Sequence, residues 1–394
     1  MEPTTSEPGS LVEQIKVIKK DGASAKAPTA PIASANSQAV EQAVWWKRRT
    51  SWAIAAVAVV VIGAGTTYAA YRVMHKTKVV VVKPTAPAVA PVAPPQPTTK
   101  ASPTTGATQD PAAADRAVTA VVIENHTDAR PQSGLAQADV VYEALAEGGI
   151  TRFLAFFHDQ RPATLGPVRS VRTYFVDWAL EYQAPVAHAG GNADALDLIG
   201  PTGMKDMNGL SNAAGAFYRT KDRYAPHNLY TSSDLLDAQM AALGFNKPTN
   251  FYVNPRVPDA PGGTHPTINI NYSYNGYQVQ YQYNKATNDY GRVLAGAPHI
   301  DRNTGQQIRV KNIVVEYMTT NYGTTRIGEQ TVIMGTVGSG QAIVFRDGEA
   351  YPGTWSKASR NDRTHLIGTD GKDIPLDVGN TWYSIVPVGK TVGY

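Results

Sequence analysis

Residues 268–283 read I-N-I-N-Y-S-Y-N-G-Y-Q-V-Q-Y-Q-Y. Ile268, Ile270, Tyr272 and Tyr274 alternate with polar residues up to Asn275-Gly276, and Tyr277, Val279, Tyr281 and Tyr283 alternate away from it. A period of two marks a strand with one buried face, and Asn-Gly between two such runs is a strong short hairpin signal. The stretch therefore predicts an antiparallel hairpin with a tight turn at Asn275-Gly276. Residues 313–318, 330–335, 342–345 and 382–386 are further strand candidates, with Asp347-Gly348 and Asp370-Gly371 as punctuation and Gly338-Ser339-Gly340 as a hairpin turn. Residues 251–394 read as a β-rich lobe. A sugar platform is one use for its tyrosines, although half-buried strands favour tyrosine in any case.

Working towards the N-terminus, residues 115–250 mix two periods. Runs at 118–123, 138–146 and 150–157 are strand-like, with Gly148-Gly149 as a turn; Phe175, Val176, Ala179 and Leu180 fall at helical spacing within 171–182. A short strand at 185–188 runs into Gly190-Gly191. Helices are expected over 193–199 and from Ser232 or Ser233 to a stop at Gly244. Pro248, Pro255, Pro258, Pro261 and Gly262-Gly263 break any long element near 245–265, so two lobes are expected to meet there. The fold class is α+β: an N-terminal α/β-type lobe followed by a mostly antiparallel β C-terminal lobe, behind one N-terminal transmembrane helix.

That helix is read from residues 51–70, which carry no charge, with Trp45, Trp46 and Trp52 at one end and Tyr68 and Tyr71 at the other. Lys47-Arg48-Arg49 at its start favour a cytoplasmic N-terminus. Residues 1–50 then read as a disordered cytoplasmic tail and 71–114 as a Pro/Ala-rich extended linker. The +4 net charge divides unevenly: residues 1–114 hold 12 basic and 6 acidic side chains, leaving 115–394 slightly acidic. A basic footprint for nucleic acid is missing from the folded part. With no cysteine in the chain, a disulfide framework, a thiol nucleophile, an iron–sulfur cluster and a lipidated cysteine are all excluded.

The first lobe carries distinctive runs: Glu124-Asn125-His126, A-R-P-Q-S-G-L at 129–135, A-D-V-V-Y-E-A-L-A-E-G-G-I-T-R-F at 138–153, G-P-V-R-S-V-R at 166–172, H-A-G-G at 188–191 and A-P-H-N-L-Y-T at 225–231. The second adds A-P-H-I-D at 297–301, V-G-S-G at 337–340 and Gly379-Asn380-Thr381-Trp382. Over about 115–390 the chain resembles the YerB-like family of bacterial lipoproteins. The resemblance implies a two-part domain on the outer face of the membrane, here with a transmembrane anchor in place of a lipidated cysteine. It implies no activity.

Arginine stands out as the chemistry-bearing residue. No lysine occurs between Lys100 and Lys205, yet Arg116, Arg130, Arg152, Arg161, Arg169 and Arg172 do, with Arg219 and Arg223 close behind. The guanidinium fork suits carboxylate and phosphate. Arg169 and Arg172 are expected to share a face at the opening of a helix, where backbone N–H groups also favour an anion. The site expectation is that Arg130, Arg152, Arg169, Arg172, His188, Arg223 and His227 converge in one cleft, with Glu143 and Glu147 as carboxylate partners. The competing reading pairs the arginines internally with Glu124, Asp139, Glu143, Glu147 and Asp177. His188 and His227 are candidates for a general base or for structural hydrogen bonding. Convergence of Glu124, His126, Glu143 and His188 would suit a metal, but their spacing does not demand one, and no metal or cofactor is assigned. The functional expectation is a membrane-anchored extracytoplasmic envelope protein that binds an anionic envelope ligand or a wall-associated protein. The alternative is an enzyme acting on phosphorylated or polymeric cell-wall precursors.

Overall fold

A computed structural model describes residues 98–394 except 249, together with Thr67, Ala70, Tyr71 and Met74. Apart from Thr67 and Ala70, the expected membrane helix at 51–70 lies outside the described residues, as do the tail before it and most of the linker after it. Among those described, no helix is long and apolar enough to cross a membrane. Residues 98–394 fall within one compact unit, mostly β with few helices.

The N-terminal half supplies β1 (Thr119–Glu124), β2 (Val140–Leu145), β3 (Thr151–Phe157), α1 (Thr173–Glu181), β4 (Val186–His188), α2 (Ala193–Thr202), β5 (Asp206–Asn208) and α3 (Ser233–Leu243). Strands β1 to β3 are buried on both faces, which is why they read as continuous apolar runs. Asn192 and Ser232 cap α2 and α3 through their side chains, and left-handed Gly203 and Gly244 end them.

The C-terminal half supplies β6 (Thr267–Asn271), β7 (Gln278–Asn284), β8 (Asp289–Leu294), β9 (Asn312–Met318), β10 (Thr320–Thr324), β11 (Gln330–Met334), β12 (Gly338–Arg346), β13 (Glu349–Lys357), β14 (His365–Gly368), β15 (Thr381–Pro387) and β16 (Val392–Gly393). Strands β6, β7, β8 and β16 build a separate antiparallel sheet. The larger sheet has ten strands in the order β14-β13-β12-β9-β15-β2-β3-β1-β4-β5. The two halves therefore share one sheet, because β15 pairs in parallel with both β9 and β2. The seam is aromatic: Tyr142 of β2 stacks on Tyr383 of β15 at 4.4 Å and on Trp178 of α1 at 4.9 Å.

Three local expectations need correction. The β6–β7 hairpin forms, but residues 272–277 connect it through a 3-10 turn over Asn275–Tyr277. Tyr272 and Tyr277 are both buried, and seating them requires more chain than a two-residue turn provides. Gly338-Ser339-Gly340 opens β12, paired with 355–357, and is no turn; Gly340 lies where a Cβ would meet the Trp355 indole nitrogen at 2.5 Å. Finally, α1 starts only at Thr173, since the backbone before it is already extended and paired. Arg169 N–H donates to Val122 O (2.9 Å), Ala189 N–H to Arg169 O (3.0 Å) and Val171 N–H to Gly190 O (3.0 Å). Arg169 and Arg172 therefore share no helical face.

Candidate functional site

Strand β1 ends at Glu124, β4 at His188 and β5 at Asn208, and antiparallel β3 brings Arg152 opposite Glu124. In sheets of this kind ligands favour the carboxyl ends of parallel strands. Two loops extend that edge. Glu124 N–H donates to Pro167 O (2.9 Å) and Val168 N–H to Leu229 O (2.7 Å), so segments 124–126, 166–169 and 227–231 lie side by side. Glu124, Arg169 and His227 meet as a result.

Glu124 is buried and held from both sides: Arg169 forms an ion pair with it, Nε lying 2.9 Å from Oε1 but outside hydrogen-bond geometry, and His227 Nδ1 lies at hydrogen-bond distance, 3.0 Å from Oε2. The His126 ring stacks on His227 at 4.8 Å. Next to this group, Arg172 clamps Glu147 with Nε and Nη2, the Nε contact being 2.6 Å. Arg152, also buried, donates Nη1 to Ser170 O (3.0 Å), a carbonyl that Arg172 Nη1 shares at 3.3 Å. Arg152 forms no ion pair among the described residues, and its Nε has no hydrogen-bond partner. Burial first, and the Arg172 charge next, push its guanidinium down to about 10.

The other expected site residues divide. Arg130 points towards the second half, donating to Asn125 O (3.1 Å) and Gly276 O (3.0 Å) with its guanidinium over the Tyr277 ring. Arg223 clips the 129–131 loop through Ala129 O and Pro131 O, both at 2.7 Å. His188 is fully buried, with Nδ1 at Gly190 O (2.8 Å) and Nε2 at Asp206 Oδ1 (2.6 Å), so it serves as a strut between β4 and β5. Glu147 is paired with Arg172. Glu143 is not: it is wholly buried and takes Arg292 Nη2 at 2.8 Å and Trp382 Nε1 at 3.1 Å.

Glu143 belongs to a closed ring of side chains that composition and spacing do not reveal. Arg292 Nε donates to His299 Nδ1 (3.0 Å), His299 Nε2 to Gln132 Oε1 (2.9 Å), and Gln132 Nε2 to Asn125 Oδ1 (2.8 Å). Asn125 Nδ2 donates to Thr151 Oγ1 (2.7 Å), which donates to Glu143 Oε1 (2.8 Å). All six residues are buried. Since Arg292 occupies Nδ1 as donor, the neutral His299 ring carries its hydrogen on Nε2; burial and then the Arg292 charge hold that ring well below the usual imidazole range. Asn125, Gln132 and His299 sit in runs quoted above, and Arg292 alternates with Tyr290 and Leu294 along β8. Position was therefore visible, but which side chains face one another was not.

For metal ligation, two groups bring three donor atoms within 4.8 Å of one another: His126, Asp128 and His227 at the site, and Asp139, His158 and Asp159 beneath the N-terminal segment. The second is committed to hydrogen bonds. Asp139 Oδ2 accepts from His158 N–H (2.7 Å), Asp159 N–H (3.0 Å) and Thr104 Oγ1 (3.0 Å), and Asp159 holds Ser102, Thr105 and Gln109.

Comparison with known proteins matches the same two segments. Residues 104–246 match the family described as "Protein of unknown function (DUF3048) N-terminal domain", and 268–383 match its C-terminal domain. The chain is 34% identical over 291 residues to "Putative lipoprotein YerB" of Bacillus subtilis (strain 168), covering 73% of this chain and 86% of that protein. The crystal structure of the Bacillus subtilis YerB protein superposes with a TM-score of 0.67 at 32% identity, covering 75% of this chain and all of that one. With both segments matched and most of YerB covered, the chain belongs to the two-domain DUF3048 family, that of YerB.

Proposed function

We propose that the protein is a membrane-tethered, extracytoplasmic module of the cell envelope that binds an anionic ligand at the Arg152–Arg169–Arg172 cluster. Arg152 is the observation that carries this reading. Its guanidinium is buried beside two other arginines, and the nearby carboxylates are already held, Glu147 by Arg172 and Glu124 by Arg169. A buried cation without its own counter-charge is costly. A phosphate or carboxylate group would supply charge-assisted hydrogen bonds to satisfy it. The tether follows from the uncharged 51–70 stretch with Lys47-Arg48-Arg49 before it. The relative's name calls YerB a lipoprotein, and a lipid anchor and a spanning helix both hold a domain at a bilayer.

Two measurements test this. Titrating the full-length protein in detergent with pyrophosphate and with soluble anionic wall-polymer fragments should give saturable binding, weakened about tenfold or more by Arg152→Ala. A lower melting temperature with unchanged affinity would make the arginines struts and end the proposal. Protease added to spheroplasts should remove the large domain, residues 115–394, and spare the tail; full protection would reverse the orientation.

The Glu124–His227 pair favours a second reading, an enzyme acting on phosphorylated or polymeric wall precursors. A carboxylate on Nδ1 orients the ring and leaves Nε2 of the neutral imidazole free to take a proton. Turnover of such precursors that disappears in His227→Ala would select this reading over simple binding.

A further inference from the structure

We infer that His126, Asp128 and His227 form a site for a divalent transition-metal ion, with Glu124 orienting His227. This goes beyond the anion reading, because none of the three ligands is an arginine. Glu124 can only accept when ionised, so His227 Nδ1 carries the shared hydrogen at 3.0 Å. Its Nε2 has no hydrogen-bond partner among the described residues. A buried carboxylate on one ring nitrogen with the other left open is the arrangement that fixes metal-bound histidines in tautomer and orientation. Arg169 on the other Glu124 oxygen holds the carboxylate in place.

The remaining ligands are weakly committed. His126 Nδ1 accepts a long 3.3 Å contact from Asp128 N–H and lies 3.7 Å from Asp128 Oδ2, so the two donor atoms face the same space. The Asp128 side chain is 69% exposed, and its one hydrogen bond among the described residues is accepted from Thr127 Oγ1 at 3.4 Å. Ligands about 2.0–2.2 Å from a zinc-like ion sit roughly 3–3.5 Å from one another. The donor atoms here lie within 4.8 Å, so rotation of the exposed Asp128 and the half-buried His126 side chains would close the set. The Asp139–His158–Asp159 group has no such freedom, since backbone N–H groups and hydroxyls occupy its carboxylates.

Two imidazoles and one carboxylate suit zinc, manganese, iron, cobalt or nickel in the divalent state, and three protein ligands leave coordination positions open. An anion could fill one of them beside Arg169, which would add a second contact for the ligand proposed above.

The test uses tag-free, full-length protein in detergent, stripped with chelator and titrated with Zn²⁺ or Co²⁺ alone. The expected result is one equivalent bound, with visible absorption bands from Co²⁺. Asp128→Asn and His227→Ala should each lower affinity at least tenfold while leaving circular dichroism unchanged, and Glu124→Gln should lower it about 10- to 100-fold. No stoichiometric binding, or binding in Asp128→Asn and His126→Ala as tight as in the parent protein, would overturn the proposal. Anion titrations repeated with chelator present report on the arginine cluster separately, so either reading can fail alone.

Discussion

Glu143 and Arg292 are wholly buried and hold each other at 2.8 Å, so neither can lose its partner cheaply. Removing one half of such a pair strands the other charge, which costs about 3–5 kcal/mol. Arg292→Met should therefore lower the denaturation midpoint strongly, and Glu143→Gln added to it should recover part of the loss. Strict additivity of the two changes in urea unfolding would show that the pair is not coupled. Glu316 poses the opposite problem. Its carboxyl is buried without a hydrogen-bond partner among the described residues, and burial, followed by the Glu181 charge, raises it from 4.5 to about 8. Between those values the folded chain keeps a proton that the unfolded chain releases. The contribution is thus complete below pH about 4.5, falls as pH rises and is gone above about 8. Glu316→Gln should flatten that decline, raising the melting temperature at pH 9 relative to the parent; a slope unchanged by the substitution would locate the effect elsewhere. These outcomes mark what single residues disclose. Arg152 and Arg172 could be picked out because arginine beside small residues is conspicuous. That Glu143 turns to Arg292 instead depends on which face of β2 meets β8, which no local pattern encodes.

At the scale of elements, the strands were legible wherever an apolar run was continuous, as in β1, β3 and β9. Boundaries failed where tertiary contacts overrode local turn chemistry. Asn275-Gly276 gave way to two buried tyrosines, and Gly338-Ser339-Gly340 to a strand whose Gly340 leaves room for Trp355. The connection at 260–265 shows the same influence. Gly262 and Gly263 N–H groups donate to Asp347 O, at 3.2 and 3.0 Å, and His265 N–H to Gly348 O at 3.0 Å, so this segment lies directly on the β12–β13 turn. A Cβ on Gly263 would fall inside the Gly348 backbone, whereas one on Gly262 meets only Ala260 O at 3.7 Å. Gly263→Ala should therefore destabilise by about 1–3 kcal/mol, and Gly262→Ala should stay within about 0.5 kcal/mol. Equal melting temperatures for the two variants would mean that the close approach has no energetic weight.

At the scale of the whole molecule, what could not be read was the shared sheet. The sequence pattern places a break near 245–265, and a break in pattern is a fair sign of separate lobes. The connection is there, but strand partners are chosen by burial across the whole chain, and β15 returns to lie between β9 and β2. The seam is held by Tyr142, Tyr383 and Trp178 together, so the two halves should lose structure in one transition. Calorimetry should give a single peak for the described domain, with the near-ultraviolet and far-ultraviolet signals falling together. Two separated peaks would contradict this.

That seam also sets a schedule. Val140 finds its neighbour in Thr381, so on a growing chain the flank of β2 stays bare until everything between them has been made. Val140, Val141 and Tyr142 are the kind of apolar edge that recruits wrong partners while it waits. The large sheet can close only after residue 387 has emerged. A chain passed through a membrane in extended form before folding would meet this requirement, since all of its strands would then be present together.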